Sequence, residues 1–146
     1  DRQLKGTIAH NPRSNMNNGV GYAFPVRVTN KVILGTDGIG SDMLEEMRLA
    51  YVAGRSHDLT ITPQTAQDWI ENSYHFMPEC KNDSVTWNYD SVESPWHTAF
   101  TPGIRALEIT SSSGERLLTD GRPVRVDLDE TRAKAAESAQ KLFALL

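Results

Sequence analysis

The sequence predicts an α/β fold, and three observations carry that expectation. The run Val32-Ile33-Leu34 is apolar, β-branched at its first two positions, and closes on Gly35-Thr36-Asp37-Gly38. A strand that is hydrophobic throughout is buried on both faces, the mark of a parallel sheet covered by helices. Two segments with helical spacing of apolar residues follow it directly. Strict alternation of apolar and polar residues begins only at Val85-Thr86-Trp87-Asn88-Tyr89, so a small antiparallel sheet is expected after the α/β part.

In chain order, a short first strand is expected over residues 6–10, then a loop over residues 11–25 crowded with Asn, Gly and Pro. Loops of that length in a compact domain are usually functional or disordered. The second strand is expected over residues 27–36. A helix should follow over residues 41–53: Ser41 suits the N-cap, and Asp42, Glu45 and Glu46 set negative charge on the positive helix end. Met43, Met47, Ala50 and Tyr51 form its core-facing stripe, and Gly54 suits its stop. A second helix should start at Thr62-Pro63, where proline fits the first helical position, present Ala66, Trp69 and Ile70 on one side, and end near Asn72. Beyond the strand at 85–89, another is expected over 104–110, followed by turn residues 111–114. Residues 116–119 and 123–126 around Asp120-Gly121 read as a hairpin, with Pro123 marking an edge. A closing helix starts near Leu128, where Asp127 and Glu130 have capping-box spacing, and leads to Leu142, Phe143, Leu145 and Leu146.

At 146 residues the chain suffices for one domain with its own core, well short of the roughly 250 residues of a complete eight-stranded α/β barrel. A formal charge of −4 with scattered basic residues offers no footprint for nucleic acid. Cys80 is the single cysteine, which excludes an intrachain disulfide framework and a Cys-based metal site and fits a reducing, cytoplasmic setting. No run approaches the ~18 apolar residues of a membrane span, and no signal-peptide core opens the chain. The start at Asp1, without methionine and close to the strand-like Thr7-Ile8-Ala9-His10, reads as a cut inside a larger protein.

Asp37 leads the candidates for chemistry, because ligands gather at the carboxyl ends of strands in parallel α/β proteins. A carboxylate there can bind a divalent metal or act as a general base. It can equally cap the following helix or satisfy the amides of the glycine turn. His10-Asn11-Pro12-Arg13-Ser14-Asn15 comes second: its amide and hydroxyl groups can fix a small polar ligand, or simply hydrogen-bond the long loop's backbone. His10 has no partner ligand at i+2 or i+4, and His57, His75 and His97 lack ligand spacing as well. Trp69, Trp87 and Trp96 read as core or interface aromatics. The sequence contains no G-x-S-x-G elbow, P-loop or G-x-G-x-x-G turn.

Taken in order, HNPRSN (10–15), MNNGVG (16–21), GTDG (35–38) and SDMLEEMRLA (41–50) resemble the amidohydrolase superfamily. The nearest branch is the cytosine/guanine-deaminase and chlorohydrolase-like aminohydrolases, which carry HNP-x-SN-M and GTDG-x-x-x-DM in this order. The resemblance implies the C-terminal portion of a metal-dependent-hydrolase (β/α)8 barrel, its last two strands and helices, plus part of the small β-sandwich domain. Residues 1–75 would form the barrel segment, with strand seven before HNPRSN and strand eight ending at Asp37. Residues 76–127 would supply strands of the small domain, and 128–146 a closing helix packed on the barrel. Asn82-Asp83-Ser84-Val85-Thr86-Trp87-Asn88 is similar to the family's ADLVV-x-LD strand, with Val85 and Trp87 toward its core. Residues 104–127 look like its closing strands. The glycine-rich turn that normally precedes ADLVV is replaced by residues 74–81.

By the same resemblance, Asp37 is both metal ligand and catalytic residue. It takes a proton from the metal-bound water and passes it to the leaving amine or halide, in hydrolytic deamination or dechlorination of an N-heterocycle. One divalent ion is implied, zinc ahead of iron; such an ion lowers the pKa of its water from near 16 towards ~7. Asn11, Ser14 and Asn15 are the substrate-binding candidates. The family's His-x-His pair of strand one, its strand-five His and Glu, and its strand-six His have no counterpart here. The remaining ligands therefore lie outside this chain, and the 146 residues alone are expected to be inactive. The partners so implied are a small-molecule substrate, the missing N-terminal barrel part and, in a homo-oligomer, further copies of the chain. The alternative is a catalytically incomplete remnant acting as an interaction or assembly module, because two barrel strands alone leave an unpaired edge.

Overall fold

The computed structural model describes residues 5–90 and 94–146. Its fold is mixed α/β, in two units: the described residues of Asp1–Lys81 with Tyr89–Ile104, and Asn82–Asn88 with Arg105–Leu146.

In the first unit, β1 (Ile8–His10) and β2 (Val32–Leu34) pair in parallel, with Ile8 opposite Val32 and His10 opposite Leu34. Val32 and Leu34, on one face of β2, are buried, whereas Ile33 on the opposite face is half-buried, so only one face is fully covered among the described residues. β2 is shorter than its apolar pattern predicts, because Pro25–Arg27 close into a 3₁₀ turn and pairing resumes only at Val32. The expected loop after β1 opens instead with a helix, α1 (Pro12–Asn17). Pro12 explains it: a first-turn proline pre-sets φ and lacks only an N–H that would have no helical partner.

Helix α2 (Met43–His57) is capped by Asp42 rather than Ser41, with Asp42 Oδ1 accepting from Glu45 N at 3.0 Å. It also runs past Gly54 instead of stopping there. A Cβ on Gly54 would lie 2.8 Å from Ile61 Cδ1 and 2.9 Å from Tyr22 Oη, so this glycine serves close packing. Helix α3 (Pro63–Glu71) starts as expected: Thr62 Oγ1 accepts from Thr65 N at 3.3 Å and Thr65 Oγ1 from Thr62 N at 3.2 Å. Met47, Ala50 and Tyr51 of α2 and Ala66 and Trp69 of α3 close over Val32, Leu34 and Ile61. Each large side chain so buried contributes about 1.5–3 kcal/mol. Asn72 Nδ2 donates to Val32 O at 2.8 Å and ties the end of α3 to β2. Two short helices complete the unit, α4 (Ser73–Phe76) and α5 (Pro95–Phe100). The second was not expected; Ser94 Oγ accepts from Trp96 N at 3.2 Å and Pro95 occupies its first turn.

In the second unit, β3 (Ser84–Trp87), β4 (Ala106–Thr110), β5 (Arg116–Thr119) and β6 (Arg122–Pro123) form an antiparallel meander in that order. Asp120 and Gly121 both have positive φ, +50° and +73°, as a two-residue type I′ hairpin turn requires. Pro123 sits on the edge strand β6. Helix α6 (Leu128–Phe143) is capped by Asp127 Oδ1, which accepts from Asp129 N and Glu130 N at 3.0 and 2.9 Å. No described residue of this unit is buried, and Val85, expected to face a core, is 40% exposed. No helix among the described residues is long and apolar enough to cross a membrane.

Candidate functional site

Gly35 begins the turn that presents Asp37. Its amide donates to His10 O at 3.0 Å, continuing the β1–β2 pairing by one residue. A Cβ on Gly35 would lie 2.5 Å from Asn11 Oδ1, so the glycine lets the Asn11 side chain rest against the strand end. Asp37 follows with φ +52°, a left-handed conformation that Asp and Asn tolerate better than other side chains.

The Asp37 carboxylate is exposed and held by two donors. Ser14 Oγ donates to Oδ2 at 2.6 Å, and Gly38 N donates to Oδ1 at 2.8 Å. Ser14, only 3% exposed, also accepts from Asn18 Nδ2 at 3.2 Å, so its hydroxyl is oriented from behind. Hydrogen bonding from Ser14 first, then from Gly38, keeps the Asp37 carboxyl below the ordinary carboxylate range. Asp37 is thus an anion at neutral pH with acceptor capacity left on both oxygens. Such a group can bind a cation or receive a proton.

A second contact holds the turn from its far side. Arg13 Nε donates to Glu46 Oε1 at 2.5 Å, and Arg13 N to Glu46 Oε2 at 3.3 Å. Arg13 Nη2 donates to Ile39 O at 2.5 Å and to Gly40 O at 3.0 Å. The guanidinium therefore joins α1, α2 and the 37–40 turn. Glu46 is wholly buried. From the sequence, Glu46 reads only as charge at a helix end, and Arg13 carries no evident role. The missed signal was an acid four residues before Ala50, on the face that is otherwise apolar.

Of the three substrate-binding candidates, Ser14 meets Asp37 directly and Asn11 sits against Gly35 at the strand end. Asn15 instead lines a cleft of about 530 Å³ together with His10, Met16, Tyr22, Val52 and His57; Asp37 is not part of that lining. His10 is buried edge-on to Trp69 and Tyr22, with ring centroids 5.7 and 6.1 Å away. Burial pushes its pKa below the ordinary histidine value, opposed by the charge of Glu46. His57, expected in a loop, lies on the last turn of α2 and stacks on Tyr22 at 4.7 Å. His75 lies on α4, and His97 on α5 meets Tyr89 edge-on.

Among the described residues, no three His, Cys, Asp or Glu side chains gather in a way that could hold a metal ion. Asp37 is exposed, ionised and oriented, and so suits one position of a ligand set completed from elsewhere. No protein-family model matches the chain.

Proposed function

We propose that this chain is the C-terminal part of a metal-dependent aminohydrolase of the amidohydrolase superfamily, in its cytosine/guanine-deaminase and chlorohydrolase-like branch. The reaction is hydrolytic deamination or dechlorination of an N-heterocycle. The observation that carries this assignment is the 2.6 Å hydrogen bond from Ser14 to Asp37, which joins HNPRSN to GTDG across 23 positions of sequence. The parallel pairing of β1 with β2 supports it, since consecutive strands of a (β/α)8 barrel are parallel neighbours.

Asp37 would hold the divalent ion, zinc ahead of iron, with the other ligands supplied from outside this chain. When bound, the ion supplies Lewis-acid activation of water. Asp37 receives the proton that water loses and returns it to the departing amine or halide. Its low carboxyl pKa keeps it unprotonated before each turnover. Ser14 and Gly38 fix the carboxylate so that its free lone pairs, rather than its orientation, are spent on the reaction. Asn11, at the same strand ends, is assigned to substrate contact, whereas Asn15 faces the separate cleft that does not include Asp37.

Metal analysis of the complete protein tests the proposal: one divalent ion per protomer is expected, with ammonia or chloride released from an N-heterocycle. An upstream sequence without a His-x-His strand overturns it. The competing assignment, an assembly module without catalysis, is favoured by one observation. Among the described residues, β1 and β2 pair only with each other and each leaves an open edge. It predicts a complete protein that associates but turns nothing over.

A further inference from the structure

We propose that Arg13 is a positioning residue for Asp37: its guanidinium fixes the 37–40 turn to α2 and so orders the Asp37 carboxylate for a metal ion. The metal role rests on the hydrolase reading; the clamp rests on contacts within this chain.

Left to itself the turn is weakly held. Its internal hydrogen bond, from Ile39 N to Thr36 O, is long at 3.3 Å, and Asp37 and Gly40 both take left-handed φ, +52° and +50°. A non-glycine residue persists there only where its surroundings over-determine it. Two consecutive residues of α1 supply that constraint. Ser14 Oγ holds the carboxylate itself, and Arg13 Nη2 gathers the carbonyls of Ile39 and Gly40 at 2.5 and 3.0 Å. The guanidinium is anchored in its own right. Its Nε donates at 2.5 Å to Oε1 of Glu46, a wholly buried carboxylate one residue before the buried Met47 of α2. One rigid planar group thus spans from the core helix to the turn, with a different nitrogen serving each side. A buried ion pair often stabilises a fold no more than apolar packing would, so stability alone does not account for this one.

The test uses the complete protein and two variants, Arg13→Ala/Glu46→Met and Arg13→Lys. The first removes the guanidinium together with its buried counter-charge. The second keeps a cation beside Glu46 but not the fork that serves both sides. Hydrogen–deuterium exchange of the metal-free protein over residues 36–41 should quicken about tenfold in both, while the amides of α2 keep their protection. Zinc affinity, read by competition with a chromophoric chelator, should fall about tenfold in protein that retains its circular dichroism spectrum. Wild-type exchange over residues 36–41 in a folded variant overturns the clamp. Faster exchange with undiminished zinc affinity overturns the positioning role. A wild-type protein that binds no zinc overturns the hydrolase reading and the metal role with it, whereas exchange still decides whether Arg13 holds the turn. If the double variant does not fold, Arg13→Lys decides alone.

Discussion

Replacing Arg13 by Ala should destabilise the first unit by about 3–5 kcal/mol, the range for removing one partner of a buried ion pair. Glu46 is 0% exposed, and among the described residues the donors to its carboxylate are Arg13 Nε at 2.5 Å and Arg13 N at 3.3 Å. Truncation leaves a buried charge with one long backbone contact. It also strips a donor from Ile39 O and Gly40 O, at roughly 1 kcal/mol each. Release of the arginine side chain returns at most about 2 kcal/mol of rotamer entropy, too little to offset those losses. The exposed pair Arg122–Asp129 is the internal control: Arg122→Ala should change stability by about 0–1 kcal/mol. Urea unfolding followed by tryptophan fluorescence measures both. The double variant Arg13→Ala/Glu46→Met removes the charge together with its partner and should recover most of the loss. A loss below about 1 kcal/mol for Arg13→Ala, or a double variant no more stable than the single one, would refute the buried-pair account.

Two further outcomes follow from the same contacts. Burial lowers the His10 pKa in the folded chain, so around the ordinary value of about 6.5 the unfolded chain binds more protons than the folded chain does. The His10 contribution to stability is therefore intact above the ordinary value of about 6.5 and declines as pH falls through it toward the folded value. The urea midpoint should show this decline in the wild type and lose that component in His10→Phe; a His10 ring that titrates by NMR at or above its ordinary value would contradict it. Gly54→Ala gains about 1 kcal/mol of helix propensity but drives a methyl to 2.8 Å from the buried Ile61 Cδ1, for an overpacking loss of about 1–3 kcal/mol. Net destabilisation is expected, and a raised melting temperature would show that Ile61 and Tyr22 move aside freely.

What was legible in the sequence was whatever local chemistry decides. Val32-Ile33-Leu34 announced a buried parallel strand, Thr62-Pro63 a capped helix, and Asp120-Gly121 a hairpin turn with two positive φ values. Helix α1 was hidden because six residues, two of them Asn, are too few to show an apolar period; Pro12 was the one usable signal. Ser94-Pro95 marked the start of α5 in the same way. Gly54 has the composition of a helix stop, yet its role is set by Ile61 and Tyr22, which only tertiary packing brings to it. At the candidate site, the sequence singled out Asp37 and Ser14 separately, and folding joined them. The Arg13–Glu46 pair spans 33 positions, and nothing local to either residue specifies the other.

Asp37→Asn in the complete protein is the most direct test of the role assigned to Asp37. Asparagine tolerates the left-handed φ of +52°; its one carbonyl oxygen can still accept from Gly38 N and its Nδ2 can donate to a turned Ser14 hydroxyl, but it cannot carry the proton or the charge. Ammonia or chloride release should fall to background, with the circular dichroism spectrum and melting temperature of the wild type retained. Turnover at the wild-type rate by a folded Asp37→Asn protein would contradict the assignment of Asp37 as metal ligand and proton carrier.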